Sequence, residues 1–292
     1  MSLHTLLEPF RFGFFRQGIV VATLAGGLCG LVGVYVVLRG MSYIGHGLSH
    51  AIFGGAAASA VLNFNFYVGA GLWGLVSALM IGRVTRRRII GSDAAIGVVT
   101  TASFALGLVL FGFFGVPPRD VDAVLFGSVL GVTTGDVVVI AAVAALAAAV
   151  VFLRYRALLF ATFDPEVADV SGVDTARTDA LLMLVLAMSI LATMKVIGVV
   201  LIAAMLVIPP VVARMLTTSF ARMLWLSVAV GTACGFVGMY LSYHLDVSSG
   251  ATIVLVGALA FGVVFALTGP DGRRRAASVE QAPAPAPVQP LS

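Results

Sequence analysis

The sequence holds a single lysine, Lys195, only two cysteines, Cys29 and Cys234, and few charges of either sign. Each shortage excludes something. The phosphate loop of ATP hydrolases, G-x-x-x-x-G-K-[ST], needs a lysine. Lys195 stands in ATMKVIGVV with no glycine before it, so the chain has no such loop. Any ATP drive must come from another polypeptide. Two cysteines, both inside apolar runs, make no disulfide framework and read as small buried hydrophobes. Charged residues are 10% of the chain, against about 25% in a soluble domain. Hydrophobic residues are 60% and mean hydropathy is +1.10, which points to lipid. The formal charge of +4 comes from arginines between apolar runs. No basic groove is interleaved with exposed aromatics, so nucleic acid is not an expected partner.

No cleavable signal peptide is evident. Glu8, Pro9 and Arg11 interrupt the first fifteen residues, without a basic start or a small-residue cleavage site. Residues 1–17 read as an aromatic, basic interfacial segment.

A spanning helix needs about 20 mostly apolar residues. Candidate spans are 18–38, 44–62, 67–82, 91–113, 136–153, 179–194, 197–213, 223–243 and 250–268. The stretch 122–134 reads as a short helix dipping into the bilayer. The expectation is an all-α polytopic membrane protein of eight or nine spans in one membrane domain, 18–268. Arginines cluster at Arg83, Arg86, Arg87, Arg88, at Arg154 and Arg156, at Arg214 and Arg222, and at Arg273, Arg274 and Arg275. The positive-inside rule places these turns and the C-terminus in the cytoplasm. Arg11 and Arg16 pull the N-terminus inward as well, whereas nine spans put it outside.

The longest polar stretch inside the chain is 162–179, TFDPEVADVSGVDTARTD. Within it, DPEVADVSG reads as a short helix. Asp164 is the N-cap, Pro165 the first position and Glu166 in the first turn; Val167, Ala168 and Asp169 follow, and Gly172 lies past the end. Such a helix is either a docking surface or a solvated connector. The tail 269–292, rich in proline and alanine toward its end, reads as disordered and cytoplasmic.

The ligand chemistry lies in MSYIGHGLSHAIFGG, residues 41–55, which carries two of the four histidines. On a helix, His46 and His50 are about 40° apart in azimuth and roughly 6 Å apart along the axis. Two imidazoles so placed can share one metal ion, and ionisable residues inside a span are functional by default. Gly45, Gly47, Ser49 and Ala51 leave room beside the helix. The spacing matches the H-E-x-x-H metalloprotease motif, but Gly47 stands where the general base would be, so hydrolysis is not expected. Pro209 and Pro210, deep in a span, mark either a kink packed on its neighbours or irregular backbone lining a path. His244 and Asp246 sit at a predicted outer turn, either as an entrance to a metal path or as a plain solvated turn.

LRGMSYIGHGLSHAIFGGAAAS resembles the signature of the ABC-3, or ZnuB-like, family: membrane permeases of bacterial zinc, manganese and iron ABC importers. SDAAIGVVTTASFALGLVL, DAVLFGSVLGVTTGDV, FDPEVADVSGV, VIGVVLIAAMLVIPPVVAR and VSSGATIVLVGALAFGVVF resemble its other blocks, in the same order, over roughly residues 15–268. The resemblance implies a fold related to the vitamin B12 and siderophore importers, in the bacterial inner membrane. It implies cytoplasmic ATP-binding subunits, an extracytoplasmic metal-binding protein and a second permease copy as partners, and no permanent cofactor. It makes Asp164–Gly172 the loop that docks on the ATPase, and places His50 on the family's metal-path histidine. Where the family pattern has aspartate, this chain has His46. A pair of imidazoles without carboxylate suits zinc better than manganese, so Zn2+ is the favoured substrate over Mn2+ or Fe2+. The alternative is an ATP-independent metal transporter or channel using the same histidines.

Overall fold

The apolar runs form helices, because in lipid a lone segment can satisfy its backbone polar groups only within itself. A computed structural model of the chain describes residues 8–62, 64, 66–86, 91–114, 132–198 and 201–280. Among them, a 3-10 turn at Glu8–Arg11 precedes eleven α-helices, and there is no strand. They are α1 (Gly13–Leu38), α2 (Ile44–Val61), α3 (Phe66–Arg86), α4 (Ser92–Phe114), α5 (Thr134–Leu153), α6 (Tyr155–Phe163), α7 (Pro165–Val170), α8 (Thr175–Ile197), α9 (Ile202–Leu216), α10 (Phe220–Leu245) and α11 (Ser249–Glu280). Seven helices, α1, α3, α4, α5, α8, α10 and α11, are long and apolar enough to cross a membrane. The expected eight or nine spans would need α2 and the shorter α9 counted as well.

Three expectations are adjusted. The first span begins at Gly13, inside the segment read as interfacial. The last helix runs through Glu280, so residues 269–280 of the expected tail belong to it. Residues 281–292 lie outside the described set, as does the stretch 122–134 up to 131; Thr133 and Thr134 cap and open α5 instead.

The core is a seam between α1 and α10. A Cβ on Gly26 would meet the Gly231 carbonyl oxygen, one on Gly235 would meet that of Ala22, and one on Gly30 that of Ser227. Residue numbers rise on one helix as they fall on the other, so the pair is antiparallel. Without side chains at the contact the backbones approach closely, the usual route to tight packing in membranes. The Ser227 hydroxyl uses this proximity to donate to Gly30 O at 2.6 Å.

The seam sets the two ends of the bundle. At one end Phe15 packs edge-on against Tyr243 at 5.1 Å, and Phe10 meets Tyr240. At the other, Tyr35 packs on Phe220. There Arg39 Nη1 donates to Asp179 Oδ1 of α8 at 2.6 Å, with side chains only 11% and 23% exposed. Removing one member of so buried a pair costs about 3–5 kcal/mol. This is the end that carries α6 and α7, so the start of α1 lies at the opposite end. Gly238 against Ile253 and Cys234 against Gly257 run α11 back toward the α7 end.

α9 continues as a helix through Pro209 and Pro210, both buried. Pro210 lies against Gly33 of α1, the arrangement of a helix packed on its neighbour.

Candidate functional site

α1 stops at a left-handed glycine. Gly40 has φ 65°. Its amide donates to Val37 O, and the Met41 amide donates to Val36 O. These are the paired bonds of a Schellman motif, which only glycine enters without cost. The chain then turns at once into α2. Gly45 sits against Ala203 and Leu206, and the Leu206 backbone also meets Gly33.

The first two turns of α2 carry the histidines. Their rings meet edge-on, with centroids 4.4 Å apart. The two Nε2 atoms are 3.2 Å apart. In neutral imidazoles one of these nitrogens can donate to the other. The separation also suits chelation: with zinc–nitrogen bonds of about 2.0–2.1 Å it corresponds to an angle of about 100°, close to tetrahedral. His46 is exposed and His50 half-buried, and the His50 ring rests on Phe104 of α4 at 5.0 Å. Small residues shape the wall. Gly47 faces Ile96 and Thr100, and Gly54 meets the Ser103 backbone. The hydroxyls of Ser49, Thr100 and Ser103 donate to their own helix backbones, to Gly45 O, Ile96 O and Val99 O. Among the described residues no third His, Cys, Asp or Glu joins the pair to complete a metal cluster. From the described residues the site can offer an ion two imidazole nitrogens.

The polar stretch forms the short helix expected of it. The Asp164 carboxylate accepts from the Val167 amide at 3.0 Å, and Pro165 opens α7. Glu166 is in the first turn and Ala168 is fully buried. Gly172, at φ 81°, ends it with a second Schellman pair, Gly172 N to Asp169 O and Val173 N to Ala168 O. Asp169 Oδ1 accepts from the Thr175 hydroxyl at 2.6 Å, tying α7 to the start of α8. Val170 is 90% exposed, and Val167 and Phe163 are exposed beside it, an apolar patch in a polar loop.

His244 and Asp246 lie elsewhere. The His244 ring packs against Tyr240 and Tyr243, and Asp246 ends α10 in the left-handed region at φ 54°. They do not cluster with His46 and His50. The residue that sequence reading passed over is Arg39. Its only local signal is a charge at the end of an apolar run, one residue before a helix-stop glycine.

The sequence profile of the ABC 3 transport family matches residues 11–268. A manganese transport system membrane protein, MntC, of Halalkalibacterium halodurans is 35% identical over 88% of this chain and 88% of its own length. A chelated iron transport system membrane protein, YfeD, of Yersinia pestis is 31% identical over 90% of this chain and 88% of its own. Among solved structures, PsaBC from Streptococcus pneumoniae in complex with Fab superposes with a TM-score of 0.80 at 31% identity, covering 90% of this chain and 95% of that one.

Proposed function

This chain belongs to the ABC 3 transport family and is the permease subunit of a metal ABC importer, and from that premise we propose that His46 and His50 are the transit ligands of a divalent metal, with zinc preferred to manganese. The observation that carries this reading is the pair of imidazole Nε2 atoms 3.2 Å apart, with no carboxylate in their cluster among the described residues. Imidazole suits zinc, and carboxylate oxygen suits manganese. The names of the relatives, which speak of manganese and iron, belong to those proteins; position 46 sets this chain apart from the aspartate of the family pattern.

Two ligands from one chain suit a transit role. A closed four-ligand site holds zinc structurally, whereas conduction needs binding weak enough to release. The metal is cargo and no resident cofactor is needed. With no phosphate loop in the chain, ATP hydrolysis belongs to separate cytoplasmic subunits, and α7 with its exposed Val167 and Val170 is the surface on which they dock. An extracytoplasmic metal-binding protein delivers the ion, and a second permease copy completes the path. The α7 end and the C-terminus face the cytoplasm, in keeping with Arg154, Arg156 and Arg222 at that end. The N-terminus and the turn of His244 and Asp246 then face outward, where these two residues flank the entrance.

The test is uptake by the permease with its ATP-binding subunits in liposomes, supplied with zinc or manganese. ATP-dependent uptake with zinc favoured is the expected result. Manganese uptake equal to zinc would remove the preference. Uptake without ATP would replace the importer by a secondary transporter.

A further inference from the structure

We infer that Arg39 is the joint through which the docking helix α7 holds the metal-binding helix α2, a positioning residue for transport. The inference rests on the reading of α7 as the ATPase-docking element and of His46 and His50 as transit ligands.

One guanidinium grips both helices that flank α7. Arg39 Nη1 donates to Asp179 of α8 at 2.6 Å, and Arg39 Nε donates to the Thr162 hydroxyl of α6 at 3.2 Å. Thr162 is itself anchored, donating to Leu158 O at 2.6 Å. On the far side, Asp169 within α7 accepts from Thr175, one turn before Asp179 on α8. A displacement of α7 thus reaches Arg39 through both of its neighbours. Arg39 Nη2 is buried with no acceptor among the described residues. The guanidinium therefore has a donor left to engage a new acceptor as the loop shifts.

The link from Arg39 to the histidines has no slack. Arg39 is the C-cap of α1 and its amide donates to Tyr35 O. Gly40 and Met41 are held by the Schellman bonds, Ile44 N donates to Met41 O at 2.9 Å, and Gly47 N donates to Tyr43 O at 2.9 Å. Met41 and Ile44 are buried. His46 follows seven residues after Arg39, and on the way the amides of Arg39, Gly40, Met41 and Ile44 are hydrogen-bonded. A pull on the guanidinium moves the start of α2, and with it the spacing or exposure of the two imidazoles. An ion pair that merely glued helices together would not need to stand at the root of the ligand helix.

The experiment uses the permease with its ATP-binding subunits in liposomes, with zinc alone as the probe. Two quantities are read for each variant: zinc bound at equilibrium, and zinc taken up per ATP hydrolysed. Arg39→Gln and Asp179→Asn are expected to bind zinc as the wild type does and to hydrolyse ATP. Their uptake per ATP falls about tenfold. Arg39→Lys keeps the charge but cannot reach Asp179 and Thr162 together, so its ratio is intermediate. The exchanged pair, Arg39→Asp with Asp179→Arg, recovers part of the lost ratio. Wild-type coupling in either single variant overturns the inference, and so does loss of zinc binding in step with uptake, the mark of a merely structural pair. Should the single variants fail to assemble, the neutral pair Arg39→Met with Asp179→Leu carries the test, since it leaves no unpaired buried charge. A normal ratio there overturns the inference, and a reduced ratio supports it. Wild-type protein that moves zinc without ATP would strike the transport reading itself, and the inference with it. Normal coupling in the variants of a working wild type strikes Arg39 alone.

Discussion

The Nε2 atoms of His46 and His50 stand 3.2 Å apart on one face of α2. That relationship makes a bidentate site out of two residues that the chain separates by one helical turn, and the first predictions follow from it.

Replacing His46 by aspartate restores the one-carboxylate, one-imidazole pair of the family pattern. The manganese-to-zinc uptake ratio should rise about tenfold or more, a change equivalent to about 1.4 kcal/mol. Competition between the two metals in liposome uptake measures it. An unchanged ratio would move selectivity away from position 46.

Ligation needs both rings neutral, and free imidazole titrates near pH 6.5. Protonation removes the lone pair, so binding is lost as pH falls. Zinc affinity of the purified permease between pH 8 and pH 5 checks this. In His46→Asp, with one imidazole left, the decline should be shallower.

At Gly26, Gly30, Gly231 and Gly235 the α1–α10 seam admits no added side chain. Gly231→Val would drive a Cβ into the Gly26 backbone, and overpacking of this kind costs about 1–3 kcal/mol or more. Thermal unfolding in detergent should shift down clearly. Gly97→Ala on α4 is the control, because an added Cβ there meets nothing within 4 Å.

The docking helix depends on its two ends. Asp164→Ala removes the cap on Val167, worth about 1 kcal/mol. Gly172→Ala forces a Cβ into the left-handed region at φ 81°, at about 1–2 kcal/mol. Both should weaken co-purification of the ATP-binding subunits while leaving zinc affinity intact. Loss of zinc binding in either would argue against the separation of docking from ligation.

Local chemistry made much of this molecule legible in advance. Asp164, Pro165 and Gly172 marked both ends of α7, because caps, proline and left-handed glycine act within a few residues. His46 and His50 fell on one face because helical periodicity alone puts them there. The proline pair of α9 was ambiguous, since the same residues suit a packed helix or an opened one. Burial of both prolines, and the contact of Pro210 with Gly33, decided it.

By itself the sequence determined a helical membrane protein, a capped polar helix between two spans and an i, i+4 histidine pair without a general base. These follow from hydropathy and from interactions that reach no further than one helical turn. The tertiary structure alone decided at which end of the bundle α1 begins, that glycines of α1 and α10 meet backbone to backbone, and that Arg39 finds Asp179 across 140 residues of chain. Those contacts depend on how helices lie against one another, and no periodicity along a single chain records that.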